Sequence, residues 1–449
     1  MISKQKGTYD LYDEEARKVL ALRNIFENIM NNFNYSFIRT PVFEATELFK
    51  RTSGETSDVV SKEMYEFKDK KDRSLALRPE GTASVARCFI ENKLYTDLPR
   101  KFWYFEPMYR YDRPQKGRYR EHFQFGCEAY GSNDPSIDAE IISIPYHLFE
   151  TLGLEGVKVR INTLGDNESR ENYKKALIDY LEPHIDSLCE DCKERFKKNP
   201  LRILDCKVDK DNEVLKNVPR TIDYLNEESR NFFEKVLDYL NALEICYEVD
   251  PKTIRGLDYY THTVFEIEAN IKDFGAQNVL CAGGRYNNLV ENLDGPATPA
   301  VGFGLGSERL LLALEHENID IALTKSIDVY VIPMTDDKSF SFSLVYLLRT
   351  LGLSVETDYL NRKLANNFKY AEKLNTKYAV VIGEDEIEKE YFTVKNMKTR
   401  EEEKVSKNEF LKYILEQLEQ DDSSCSCDCD CDCEDDCDGD CNCHDCSCF

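Results

Sequence analysis

The run Tyr109–Glu128, YRYDRPQKGRYREHFQFGCE, gathers five cations (Arg110, Arg113, Lys116, Arg118, Arg120) into eleven residues of a chain whose formal net charge is −25. Its second half alternates. Phe123, Phe125 and Cys127 fall on one face of a strand, and His122, Gln124, Gly126 and Glu128 on the other. The preceding RKFWYFEPMYRYD (100–112) reads as the first strand of a hairpin, with Met108, Arg110 and Asp112 on a common face. If the two polar faces coincide, Arg110, Gln124 and Glu128 look into one cavity, and Gly126 leaves space there for a ligand. A solvated face of a two-sided sheet shows the same spacing.

Working outward, 449 residues are enough for two or three domains, and 41% apolar content is ordinary for a globular chain. The opening MISKQKGTYDLYDEEARK is too polar for a signal peptide, and no apolar run is long enough to span a bilayer. A cytoplasmic protein with reduced thiols is expected. The charge is unevenly spread. Residues 421–449 hold eleven acids and no Lys or Arg, so the rest carries −25 + 11 = −14. That balance excludes a general nucleic-acid binder, and any polyanion must be met by local clusters such as 110–120. Ten of the 17 cysteines lie in the same terminal segment, alternating with Asp. The segment has no core-forming residues and is expected to be a disordered tail. Its thiols, Cys425, Cys427, Cys429, Cys431 and Cys433 among them, offer speculative ligands for a soft metal.

Residues 11–33 carry Val19, Leu22, Phe26, Ile29 and Met30 at helical spacing. LALRPEGTASVARCFIEN reads as strand, turn and a helix from about Thr82. THTVFEIEA reads as a strand, and AVGFGLGSERLLLALE as a glycine-spaced strand entering a helix. Residues 170–245 are mostly helical. From about 326, alternating strands and helices suggest a small α/β domain whose last helix opens with a Ser406/Glu409 capping box.

The motif RYDRPQKGRYREHFQFGCE, together with ALRPEGT (76–82), RGLDYYTHTVFE (255–266), CAGGRYNNLV (281–290) and GFGLGSERLLL (302–312), resembles the ordered signatures of the histidine–tRNA ligase family of class II aminoacyl-tRNA synthetases. The resemblance covers most of residues 1–420. It implies an α+β chain. A class II antiparallel sheet flanked by helices fills residues 1–325, with a helical insertion at about 170–245. An anticodon-binding α/β domain follows at 326–420, then the tail at 421–449. It implies ATP as substrate with Mg2+, histidine and its tRNA as partners, and a homodimer formed through the segment around Pro41.

Site roles follow from the same resemblance. Arg110 and Arg255 are the expected catalytic residues, on the α-phosphate and the histidine carboxylate. Arg309 is expected on the γ-phosphate, and Asp112 and Arg118 with them around ATP. Arginine suits this work because its planar fork stays charged and donates twice to a phosphate. Glu80, Gly81, Thr82 and Gln124 are expected at the α-amino group, and Glu128, Tyr259, Tyr260 and Tyr286 around the imidazole. If residues 259–260 are extended, only one of the two tyrosines faces the ligand. Arg113, Lys116 and Arg120 are expected to touch tRNA. The glycines 302, 304 and 306 would leave a bare strand face for adenine or phosphate. Structure alone would use several of these residues differently: Glu80 and Thr82 as a helix cap, Arg255 as a surface residue, and the glycines for close packing. Two positions depart from the family pattern, Asp112 for Glu and Asn287–Asn288 for Asp-Gly. No metal is expected in the catalytic core. Cys189, Cys192 and Cys206 form a CxxC and a third thiol, but no fourth ligand is evident beyond the candidate His184, and they read as reduced structural thiols. A regulatory, catalytically silent relative would be expected to lose the ATP-contacting arginines, and these are present.

Overall fold

The computed structural model describes residues 2–423, except 55, 56, 58, 207, 210, 255, 256, 258, 272–277 and 322–325, and for 205, 422 and 423 it describes the backbone alone. Arg255 and the tail cysteines therefore lie outside the described residues. The chain divides into two compact units between residues 323 and 324.

The first unit opens with the amphipathic helix α1 (Asp13–Asn32). Short strands β1 (Ser36–Phe37) and β2 (Phe43–Ala45), helix α2 (Thr46–Ser53), and strands β3 (Glu66–Lys68) and β4 (Ser74–Leu77) lead to α3 (Thr82–Glu91). The hairpin of β5 (Arg100–Tyr109) and β6 (Glu121–Tyr130) follows, then α4 (Pro135–Thr151) and β7 (Val157–Thr163). The insertion runs through α5 (Asn167–Leu181), α6 (Glu190–Lys198), α7 (Glu213–Lys216) and α8 (Glu227–Ala242). The chain returns as β8 (Tyr247–Val249), β9 (Thr261–Ala269), β10 (Val279–Arg285), α9 (Leu289–Asn292), β11 (Ala300–Gly306) and α10 (Ser307–His316).

Eight strands form one sheet in the order β1-β5-β6-β11-β10-β9-β7-β8. The six central strands are antiparallel, and the edge strands β1 and β8 pair parallel. Strand alternation divides the sheet's side chains between two faces. One face carries Trp103, Phe125, Cys127, Phe265 and Phe303 against α1, α4 and α8. Phe26 of α1, fully buried, packs 4.5 Å from the Phe125 ring and 5.8 Å from Trp103. This closed face is the main core. The opposite face carries Tyr104, Met108, Tyr130 and Val264, covered in part by α3 and by the segment 257–260. It is the face on which a site can open.

The insertion has its own small core of Tyr173, Leu177, Leu181, Leu188, Cys192, Leu201, Ile203, Cys206 and Leu215. The second unit contains β12 (Ile327–Pro333), α11 (Ser339–Thr350), β13 (Val355–Thr357), α12 (Leu364–Lys373), β14 (Thr376–Ile382), α13 (Glu384–Glu388), β15 (Tyr391–Asn396), β16 (Glu402–Ser406) and α14 (Phe410–Ser423). Its sheet order is β13-β12-β14-β15-β16, parallel through the first three strands and antiparallel through the last two. Two expectations are corrected here. Ser406 does not start a helix; it ends β16, paired with Tyr391, and α14 begins three residues beyond the expected first helical position, 407. Residues 421–423, expected in the tail, belong to α14, and Asp421 accepts a 2.9 Å hydrogen bond from Tyr378. Among the described residues no helix is long and apolar enough to cross a membrane.

Candidate active site

The β5–β6 register pairs Phe102 with Glu128, Tyr104 with Gly126, Glu106 with Gln124 and Met108 with His122. Arg110 extends the pairing, its amide donating to the Arg120 carbonyl at 2.8 Å. The polar face read from the sequence is therefore real, but Gly126 does not leave ligand space. A Cβ there would lie 2.1 Å from the Tyr104 ring, and one at Gly81 2.3 Å from the same ring. The two glycines make room for Tyr104, whose hydroxyl donates to Glu128 at 3.2 Å.

Glu128 is the centre of the pocket. It is fully buried and also accepts from Thr82 Oγ1 at 2.7 Å and from the Tyr286 hydroxyl. Burial pushes its carboxyl up to about 8, against the pull of these hydroxyl donors. Glu80, also buried, accepts from the backbone N–H of Thr82 at 2.8 Å and of Ala83 at 3.0 Å. It thus caps α3, while the Thr82 hydroxyl is turned to Glu128, the reverse of the simple expectation for an N-cap threonine. Burial raises the Glu80 carboxyl, and Arg110 nearby opposes that rise.

Tyr259 and Tyr260 are both buried, and both face the pocket. Their ring centroids are 4.7 Å apart and lie 5.5 and 6.5 Å from that of Tyr286. The expectation that only one could do so assumed extended backbone. The chain bends at 257 and turns at 259, which brings successive rings to one side.

A cationic cluster adjoins these residues. Arg110 Nε donates to the Pro79 carbonyl at 2.8 Å, and Arg309, in the first turn of α10, donates through Nη1 to the Val279 carbonyl at 2.7 Å. Burial lowers the Arg309 pKa, and Arg118 and Arg110 lower it further. His122 sits among the same three guanidinium groups. Burial, then Arg110, Arg309 and Arg118, bring its imidazole down to about 3. Arg110 and Arg118 of the basic run and Arg309, nearly 200 residues further on, thus share one electrostatic neighbourhood, and Arg110 also faces Glu80. His122 was legible as a face residue but not as the neutral member of this cluster. A buried polar side chain among cations must stay uncharged.

Asp112 pairs with Arg118, and Arg118 Nη2 also lies 3.8 Å from Glu63. The shorter acid thus serves in holding Arg118. Of the β11 glycines only Gly306 faces open space. A Cβ at Gly302 would meet Glu128 at 2.0 Å, and one at Gly304 would meet Gln124 at 1.9 Å. The expected bare face is filled by β6 side chains lying across two of its three glycines. In the basic loop Arg113 and Lys116 are exposed, with Lys116 Nζ 3.6 Å from Glu315. Arg120 instead lies 3.9 Å over the Tyr111 ring and donates to the Asp112 carbonyl at 3.2 Å. Asn288 has φ −92°, so its turn needs no glycine, and Asn287 Oδ1 accepts from Arg285 at 3.2 Å.

Three supporting groups were missed in the sequence. Fully buried Arg78 pairs with Glu106 and donates to the Thr40 carbonyl at 2.8 Å. Glu308 accepts from Tyr9 and from the Phe123 amide at 2.7 Å, tying α10 to β6. Arg285 and Asp138 form a fully buried ion pair between β10 and α4. In the sequence these are ordinary charges; only the register reveals that each lies inside.

An antiparallel sheet that gathers arginines beside a buried carboxylate and a set of tyrosines is the arrangement expected of a class II aminoacyl-tRNA synthetase. Comparison with known proteins narrows this. The family model for histidyl-tRNA synthetase matches residues 7–310, and that for an anticodon binding domain matches 328–417. A histidine–tRNA ligase of Listeria monocytogenes is 51% identical over 409 residues, 90% of this chain and 96% of that protein. One of Bacillus licheniformis is 48% identical over 412 residues, 91% and 97% of the two chains. The crystal structure of apo S. aureus histidyl-tRNA synthetase superposes with a TM-score of 0.80 at 40% identity, covering 92% of this chain and all of that one. The chain belongs to the histidine–tRNA ligase family.

Proposed function

We propose that this chain ligates L-histidine to its tRNA through a histidyl-adenylate formed on the open face of the sheet. ATP enters as its Mg2+ complex. Its α-phosphate and the histidine carboxylate meet at Arg110, with Arg255 opposite. Arg309 holds the γ-phosphate, and Arg118, fixed by Asp112, completes the cationic wall. Charge accumulates on the α-phosphoryl oxygens as the carboxylate attacks and the α–β phosphoanhydride bond breaks to release pyrophosphate, and guanidinium groups already in place stabilise it without reorganisation. Glu80 has acceptor positions beyond the two spent on α3, and with Gly81, Thr82 and Gln124 it receives the ammonium. Glu128 and Tyr259, Tyr260 and Tyr286 enclose the imidazole. A buried carboxyl that needs a partner favours a side chain carrying an N–H over an apolar one of the same size.

Arg113 and Lys116 present positive charge to the tRNA acceptor end, and Arg120 adds its charge from its place over Tyr111. We assign residues 1–325 to catalysis, 326–423 to the anticodon and 424–449 to a tail without a catalytic role. The protein acts in the cytoplasm as a homodimer formed around Pro41. The observation that carries the chemical reading is the shared neighbourhood of Arg110, Arg118 and Arg309 beside Glu80. It is tested by amino-acid-dependent exchange of pyrophosphate into ATP. Exchange is expected with histidine and with no other amino acid. Arg110→Ala and Arg255→Ala should each lower it by about 10²-fold or more. Full exchange by either variant removes that residue's role. Absence of exchange with every amino acid would favour a regulatory binding protein instead.

A further inference from the structure

In the insertion, Cys189, Cys192, Cys206 and Asp209 bring one ligand atom each to within 4.8 Å of all the others. The sequence offered three thiols without a fourth group. The fold supplies Asp209, three residues past Cys206, and leaves His184 outside the cluster, packed against Tyr180 at 5.7 Å. We propose that these four residues bind one zinc-class divalent cation as a closed structural site.

The geometry matches the chemistry. A tetrahedral centre with metal–sulfur bonds of about 2.3 Å has sulfur–sulfur edges of roughly 3.8 Å and, with an oxygen bond of about 2.0 Å, sulfur–oxygen edges of roughly 3.5 Å. Cys189 Sγ and Cys206 Sγ are 3.7 Å apart, and Cys206 Sγ lies 3.6 Å from Asp209 Oδ2. The donors are also held from behind, as ligand side chains usually are. The Asp209 amide donates to Cys206 Sγ at 3.4 Å, and the Cys189 amide donates to Asp209 Oδ2 at 2.9 Å. Cys189 is the N-cap of α6 and Cys192 sits in its first turn, so one helix start presents both thiols. Three thiolates and a carboxylate form a soft, closed donor set with no position kept open for a reacting water, so the ion would be structural.

The physical need is visible too. The insertion's core is small, and two of its nine buried members are Cys192 and Cys206 themselves. A metal would tie the start of α6 to Cys206 and Asp209 and add a cross-link to this small core. On binding, the three thiols release their protons and the cation takes their place.

The test uses the full-length chain with the ten cysteines of 425–448 changed to serine, which leaves seven thiols and removes the competing ligands. Zinc per chain is measured by elemental analysis, and added Co2+ is followed by absorption. One ion per chain and the intense visible bands of a tetrahedral thiolate site are expected. Cys192→Ser and Cys206→Ser should weaken binding by roughly 100-fold or more, and Asp209→Cys should retain it with a red-shifted spectrum. Circular dichroism of each variant separates loss of ligand from loss of fold. A folded parent that takes up no Co2+ overturns the proposal, as does a Cys189–Cys206 disulfide in protein purified without reductant and free of metal.

Discussion

Glu128 shows how far one side chain can be argued. Its carboxyl is enclosed by three hydroxyl donors and, among the described residues, pairs with no cation, and burial raises its pKa to about 8. In the unfolded chain it titrates near 4.5. Between those values the folded chain keeps a proton that the unfolded chain has lost. The contribution of this group to stability is therefore greatest below pH 4.5 and falls as pH rises toward 8, by up to about 1.4 kcal/mol per pH unit. Glu80 and Glu308 are raised in the same direction, so the total slope is shared. Glu128→Gln isolates one share. The single tryptophan, Trp103, lies buried in β5 and reports unfolding of the sheet by fluorescence. Denaturant titrations from pH 6 to 9 should show wild type losing stability relative to Glu128→Gln as pH rises to 8, with the gap then constant. A gap that does not change with pH would mean Glu128 is already ionised. The sequence placed Glu128 on the right face, since alternation is a property of one strand. It could not show the hydroxyl cage, which depends on Tyr104 across the register and Tyr286 more than 150 residues away.

Glycines in this sheet do two different jobs, and only pairing distinguishes them. On β6, Gly126 accepts the Tyr104 ring from β5; on β11, Gly302 and Gly304 accept Glu128 and Gln124 from β6. Gly306 ends β11 with nothing within 4 Å of where a Cβ would be, beside Arg309 at the start of α10. The prediction is a contrast between two like substitutions. Gly126→Ala must displace a buried aromatic ring and should cost about 1–3 kcal/mol or more, read by Trp103 fluorescence. Gly306→Ala has φ −82°, which alanine adopts freely, and should leave stability within about 0.5 kcal/mol. If the nucleotide lies against that open end, the same variant raises the KM for ATP while sparing that for histidine. Equal stability loss in both variants would contradict the packing described here. Elements with strong periodicity were plain in the sequence: α1 from its apolar stripe, β9 from the alternation of THTVFEIEA, α3 from Thr82 onward. The turn at 259, which brings Tyr259 and Tyr260 to one side, was not legible, because adjacent aromatics carry no periodic signal.

At the scale of the whole molecule the issue is charge. A chain at −25 whose proposed partner is a polyanion keeps its local positive charge in a patch that includes Arg113 and Lys116 on the surface and Arg110, Arg118 and Arg309 within. Composition revealed the conflict, and the motif at 110–120 revealed its resolution. The boundary of the acidic tail needed the structure. Cutting after Gln420 would remove Asp421, which the Tyr378 hydroxyl uses, and clip α14. Cutting after Ser423 spares both and removes nine acids, moving the net charge to −25 + 9 = −16. We propose that the anionic tail acts on tRNA through its long-range field, which salt screens over about 8 Å at physiological ionic strength. Removal of 424–449 should therefore leave the kcat of aminoacylation unchanged. The KM for tRNA should fall by a factor of a few at 10 mM salt and by almost nothing at 150 mM, since screening lengths of about 30 and 8 Å separate the two conditions. Initial rates across that salt range decide the matter. A fall in kcat, or a KM change that persists at high salt, would give the tail a contact role in place of a field effect.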